Sequence, residues 1–173
     1  MTSGRGRSRL QVKSATGRAR RCTTNGSSGY LVNTNILLYV YDVEENAKRR
    51  RSRALLLGLE SLNAGALSTQ VLGEYYWNAT RKLKVPIAPE QAERSVAHWA
   101  RSWTVFAITP AIVLEAVRGA RQYQFPYWDA LIWATAKVNF VSTVLSEDFS
   151  DGALFEGVRI RNPLVAGFDL SAL

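Results

Sequence analysis

The 173-residue sequence predicts an α/β fold: a central, mostly parallel sheet of about five strands with helices on both faces. Two observations carry this expectation. Short apolar runs alternate along the chain with longer segments of helical periodicity, the pattern of successive βαβ units. The hydrophobic content of 47% is enough for one sizeable core in a chain of this length.

The first strand opens at Tyr30, where Tyr-Leu-Val-Asn-Thr-Asn-Ile-Leu-Leu-Tyr-Val reads as an apolar run broken by a polar triplet. A strand buried on both faces looks like this when it ends in a polar loop and passes into a helix. A helix is predicted over 46–62, with Leu55, Leu56, Leu59 and Leu62 inward and the run Lys48 to Arg53 in solvent. The short stretch Ala66 to Thr69 is a second strand. It leads into a helix whose Val71, Tyr75, Ala79 and Leu83 recur at fourfold spacing until Pro86 and Pro89 stop it. Another helix covers 90–101, and Trp103 to Ile108 forms a third strand. Pro110 suits the first turn of a helix running to about Gln124. Pro126 opens a helix through about Asn139 that is apolar nearly all round and therefore buried. Ser142 to Ser146 is a fourth strand, closed by Glu147 and Asp148, and Gly157 to Ile160 a fifth.

Charge divides the chain. Twenty-two Lys and Arg against fourteen Asp and Glu give +8, yet residues 1–29 alone hold seven basic residues and no acid. Subtracting those seven leaves +1 on the other 144 residues, so the high isoelectric point is no argument for nucleic-acid binding by the folded part, residues 30–173. Residues 1–29 lack the apolar surface needed to offset ordering entropy and read as a disordered basic extension. A nucleic-acid-binding arm, a transit-like segment and an extension upstream of the true start are the readings open for it. The single Cys22 excludes an internal disulfide and a cysteine-based zinc cluster and fits a reducing, cytoplasmic location. The single His98 excludes a histidine-pair ribonuclease and His-rich zinc motifs, and reads as a packing or surface residue. No apolar run reaches the ~18–20 residues of a membrane span.

Ligands of open α/β sheets bind beyond the carboxyl ends of the strands. Asn33, Glu74, Asp129 and Asp148 are predicted to lie there: at the end of the first strand, in the first turns of the helices after the second strand and after Pro126, and at the end of the fourth strand. Three carboxylates and an amide form an all-oxygen set of the kind that holds Mg²⁺ or Mn²⁺. Each acid also has a plainer reading, as a helix-start acid for Glu74 and Asp129 and as a turn former for Asp148 and Asp151. The aromatics of Tyr75-Tyr76-Trp77 and Tyr127-Trp128 read as core or interface residues, although any on the rim of a site could stack on bases.

Four segments, in order, resemble the motifs of PIN-domain nucleases. Leu31-Val32-Asn33-Thr34-Asn35 is similar to the opening motif, which normally reads Asp-Thr-Asn, and Ser68 to Glu74 to the second. Tyr127-Trp128-Asp129-Ala130 resembles the third, and Leu145-Ser146-Glu147-Asp148-Phe149-Ser150-Asp151 the fourth. Ile160-Arg161-Asn162-Pro163 is similar to the tail of the VapC-like toxins of toxin–antitoxin pairs. The resemblance runs over about 30–163. It implies a three-layer α/β/α fold and a metal-dependent endoribonuclease, often dimeric and held inactive by a small antitoxin protein. Glu74, Asp129 and Asp148 would coordinate one or two Mg²⁺ or Mn²⁺ ions, Asp151 would assist through water, and Asn35 and Ser146 would order the surrounding shell or touch the scissile phosphate of the RNA substrate.

Asn33 departs from the pattern. An amide oxygen can ligate a hard cation but brings no charge and cannot act as a base, so the expected nuclease is weakened or lost. The rival is a module that binds RNA or an antitoxin without cutting. An aspartyl-nucleophile phosphatase needs acids where Asn33 and Asn35 stand, and a dinucleotide site needs Gly-x-Gly-x-x-Gly after the first strand; both are absent. Surplus Leu, Tyr and Trp on the helices after the first two strands predict an apolar face for an antitoxin helix or a second copy.

Overall fold

A computed structural model describes residues 29–169. The extension expected over 1–29 lies, apart from Gly29, outside the described residues, as do 170–173. The chain runs β1 (Tyr30–Val32), α1 (Thr34–Tyr39), α2 (Asn46–Ser61), β2 (Gly65–Ser68), α3 (Thr69–Arg81), α4 (Pro89–Ser102), β3 (Thr104–Phe106), α5 (Pro110–Tyr123), α6 (Tyr127–Val138), β4 (Thr143–Leu145), β5 (Leu154–Phe155) and β6 (Val158–Arg161).

The sheet order is β3-β2-β1-β4-β6-β5, parallel throughout except for the β5–β6 pair. β1 is central, hydrogen-bonded to β2 on one side and β4 on the other, which is why its sequence is an unbroken apolar run. With this strand order, the right-handed crossover rule puts α1–α4 on one face, between β1, β2 and β3, and α5 and α6 on the other, on the return from β3 to β4. α1 packs on α2 and α3, α3 on α4, and α5 along α6.

Local chemistry sets each boundary. The side chains of Asn33, Ser68 and Thr109 accept from backbone N–H groups at the starts of α1, α3 and α5, and Pro110 occupies the first turn of α5. Every residue of α6 from Ala130 to Ala136 is buried, as its all-round apolar sequence requires. Tyr75 of α3 is fully buried and meets Trp99 of α4 edge-on, with ring centres 4.7 Å apart. Close approach demands glycine twice: a Cβ on Gly65 would overlap the Trp103 ring, and one on Gly119 the Trp133 ring.

The expected sheet of about five strands is extended by one short strand, because Leu154–Phe155 folds back on β6 as a hairpin through Glu156 and Gly157, both at positive φ (47° and 87°). Two expectations are corrected. Leu62 is 55% exposed rather than inward. α2 ends at Ser61 and the chain turns away through Asn63 at φ 52°, so the helical spacing from Leu59 is broken before it reaches Leu62. The basic run of α2 is only partly in solvent. Ser52 is fully buried, Lys48 pairs with Glu147 at 3.0 Å, and Arg51 donates to the Pro163 and Phe168 carbonyls at 3.1 and 3.0 Å. No helix among the described residues is long and apolar enough to cross a membrane.

Candidate acidic cleft

Beyond the carboxyl ends of β1 and β4, where the strand order reverses, the chain leaves a cleft of about 580 Å³. Asn33, Asn35, Glu74, Asp129 and Asp148 all line it, so residues more than a hundred positions apart meet at one place. Asn33 arrives from the end of β1, Asn35 from α1, Glu74 from the second turn of α3 and Asp129 from the first turn of α6. Asp148 stands in the turn after β4, which ends at Leu145 rather than running on to Ser146.

A hydrogen-bond net holds these groups. The Asn33 Oδ1 accepts from the Thr34 N–H at 2.6 Å, so its Nδ2 is turned toward the acids and donates to Ser146 Oγ at 3.0 Å and Asp148 Oδ2 at 3.2 Å. Asn35 Nδ2 donates to the same Asp148 oxygen at 2.8 Å. Ser146, fully buried below the cleft, accepts the Asp148 backbone N–H at 3.1 Å and fixes the turn that carries the carboxylate. On the opposite wall Thr34 Oγ1 donates to Glu74 Oε2 at 2.6 Å, and Gln70 Nε2 donates to Glu74 Oε1 at 2.9 Å. Gln70 also donates to the Trp128 carbonyl at 3.1 Å, tying α3 to the start of α6.

The electrostatics are those of acids crowded together. Burial first, and then the charges of Asp148 and Glu74, together push the Asp129 carboxyl up to about 6, against a lowering by the Asn33 amide. Asp148 is also raised, by burial first and then by Glu147. Among the described residues, no group of three or more Asp, Glu, His or Cys is drawn tightly enough to enclose one ion. Glu74 is tied to Thr34 and Gln70, and Asp148 to the two amides. The donor set still fits a hard divalent cation chemically, being all oxygen, anionic and self-repelling. Asn35 lines the cleft, and its Oδ1 is enclosed with no hydrogen-bond partner.

Asp151 stands elsewhere. It accepts the Asn162 N–H at 2.8 Å, lies 3.4 Å from Arg161 Nε, and is not part of the cleft wall. His98 is a surface residue, 2.9 Å from Glu60. Thr34, Gln70, Trp77, Asn78 and Trp128 belong to the site without having been assigned to it from the sequence. Helical spacing along α3 was the available signal, since Gln70, Glu74, Trp77 and Asn78 share a face.

The PIN domain family profile matches residues 30–150, more than half of the chain. No curated protein matches. Among solved structures, a toxin–antitoxin complex from Klebsiella pneumoniae is 21% identical, with a TM-score of 0.54 over 78% of this chain and 98% of that one. The Mycobacterium tuberculosis toxin VapC20, described as cleaving the sarcin–ricin loop, is 19% identical, with a TM-score of 0.53 over 76% and 99%. A DNA-bound VapBC complex from Salmonella typhimurium is 17% identical, with a TM-score of 0.54 over 78% and 98%.

Proposed function

The chain belongs to the PIN-domain family, and on that basis we propose that it is a divalent-metal-dependent endoribonuclease, the toxin of a toxin–antitoxin pair, whose metal site is weakened by Asn33. The observation that carries the reading is the convergence of Glu74, Asp129 and Asp148 on one cleft at the switch point of a parallel sheet. Those three carboxylates would hold Mg²⁺ or Mn²⁺, with Asn33 joining them only if its amide turned over, because Oδ1 is engaged by the Thr34 N–H and Nδ2 faces the acids. When bound, such an ion supplies Lewis acidity at a phosphate and an activated water.

The chain's own residues do the positioning. Thr34 and Gln70 fix the two oxygens of Glu74, Ser146 fixes the backbone of Asp148, and Asn35 holds the Asp148 carboxylate through Nδ2. Asp129 and Asp148 carry the repulsion that a cation would relieve. Asp151, held by Asn162 and Arg161 outside the cleft wall, would reach the site only through water. The toxin reading rests on structural relatives named as toxins or toxin–antitoxin complexes, and it brings an antitoxin protein and a second copy of the chain as partners.

One observation favours a second reading. The Asn33 Nδ2 donates to Asp148 and so supplies part of the neutralisation a cation would provide. A chain stabilised in that way would bind RNA or an antitoxin without cutting. The deciding experiment is Asn33→Asp, assayed for Mn²⁺-dependent RNA cleavage beside the parent. We expect cleavage to rise by tenfold or more, since the change restores a ligand charge in a site where each ~1.4 kcal/mol is a factor of ten. No gain over the parent would reject the weakened nuclease and leave the binding module.

A further inference from the structure

We propose that Trp77, Trp128 and Gln70 form a base-binding subsite on the rim of the cleft, which takes an unpaired nucleotide beside the scissile phosphate. The inference deepens the nuclease reading and rests on it for the substrate class. Both indoles line the cleft and are open to solvent, Trp77 at 53% and Trp128 at 61%. Other Trp residues of this fold are buried: Trp99, Trp103 and Trp133 are all packed in the core. Two large aromatic faces left on the mouth of one polar cleft cost apolar exposure that the fold does not require.

Three features select RNA as the occupant. The Arg81 guanidinium lies 4.1 Å from the centre of the Trp77 ring, and Lys82 lines the same wall; neither forms an ion pair among the described residues. Cations beside a stacking surface suit a polyanion that carries aromatic bases. Gln70 has both of its amide hydrogens committed, to Glu74 and to the Trp128 carbonyl, while its Oε1 is buried and unpartnered. An enclosed acceptor left without a partner on a residue of the cleft wall is one that a base N–H or a ribose 2′-hydroxyl would satisfy once Gln70 turned to meet it. A base held in a duplex presents neither a free face nor that edge, so the subsite selects loops and single strands.

Binding in chelator separates this proposal from cleavage. A short unstructured RNA oligonucleotide is titrated against the full chain in EDTA, and indole quenching is read for the parent, Trp77→Ala, Trp128→Ala and Trp128→Phe. Thermal melts check that each variant is folded. We expect each alanine variant to lose affinity about tenfold or more, the phenylalanine variant to retain most of it, and the annealed duplex to bind weakly to all four. Affinity unchanged in both alanine variants would overturn the proposal and give the rim to a protein partner, as would equal binding of the duplex. Tryptophan-dependent binding alongside an Asn33→Asp protein that cuts nothing would keep the subsite and reject the nuclease. A cutting Asn33→Asp protein with tryptophan-independent binding would do the reverse.

Discussion

At the scale of single residues, the cleft is governed by how many negative charges it holds and what shields them. Asp129 is the sharpest case: burial, then Asp148 and Glu74, lift its carboxyl from 3.8 to about 6. Between those two values the folded protein holds a proton that the unfolded chain has released. Because the folded state binds more protons, the unfolding free energy contributed by Asp129 falls as pH rises from about 4 to 6 and stays low above that. The full value of a two-unit shift is about 3 kcal/mol, which partial exposure reduces to the order of 1 kcal/mol. Asp129→Asn removes the dependence. In EDTA, the stability of Asp129→Asn relative to the parent should therefore grow by about 1 kcal/mol from pH 4 to pH 7, read from urea midpoints; a constant gap would show that neither burial nor its neighbours raise Asp129. The acids were legible one by one because each follows an apolar strand or opens a helix. Their restraints were not, since Thr34 reaches Glu74 across 40 positions and Asn35 reaches Asp148 across 113.

Single elements show the same substitution meeting opposite fates. Gly73 lies on the cleft side of α3, with nothing within 4 Å of where a Cβ would go, whereas Gly119 in α5 sits under the Trp133 ring of α6. Gly73→Ala should stabilise the fold by about 1 kcal/mol, the helix-propensity difference. Gly119→Ala gains the same propensity, but the methyl must push an indole that is fully buried, and overpacking costs about 1–3 kcal/mol, so the net change is destabilising. Denaturant unfolding of the two variants should shift in opposite directions; a stabilised Gly119→Ala would mean that α5 and α6 are not packed as closely as described. Periodicity located both helices and the buried character of α6, because those depend on residues within a few positions of one another. It could not show that Gly119 faces Trp133 across a helix pair. Nor could it find β5, a two-residue strand whose Glu-Gly turn lacks the usual Asn-Gly or Asp-Gly signature.

For the molecule as a whole, the order β3-β2-β1-β4-β6-β5 is what turns scattered acids into a site. Strand and helix alternation made the parallel sheet and its two helical layers readable, and the right-handed crossover rule then left little freedom in where the strand ends converge. The aromatic rim was readable only as a possibility of composition, because exposure of Trp77 and Trp128 depends on how α3 and α6 flank the cleft. Since the cleft draws on β1, α3, α6 and the turn after β4, a cation bound there joins both helical layers and must stabilise the entire fold. Asn33→Asp sharpens the consequence. It removes the amide donor from Asp148 and adds a negative charge beside acids that already repel, so in EDTA its melting temperature should fall below that of the parent. Adding Mn²⁺ should reverse the order, because ligand at about a hundred times its dissociation constant contributes about 2.7 kcal/mol, several degrees in a domain of this size. The parent, with one charge fewer, should gain less at the same concentration, and Asp129→Asn least of all. Melting curves of the three proteins with and without Mn²⁺ test the site independently of any RNA. Equal shifts in all three would place the cation outside the cleft.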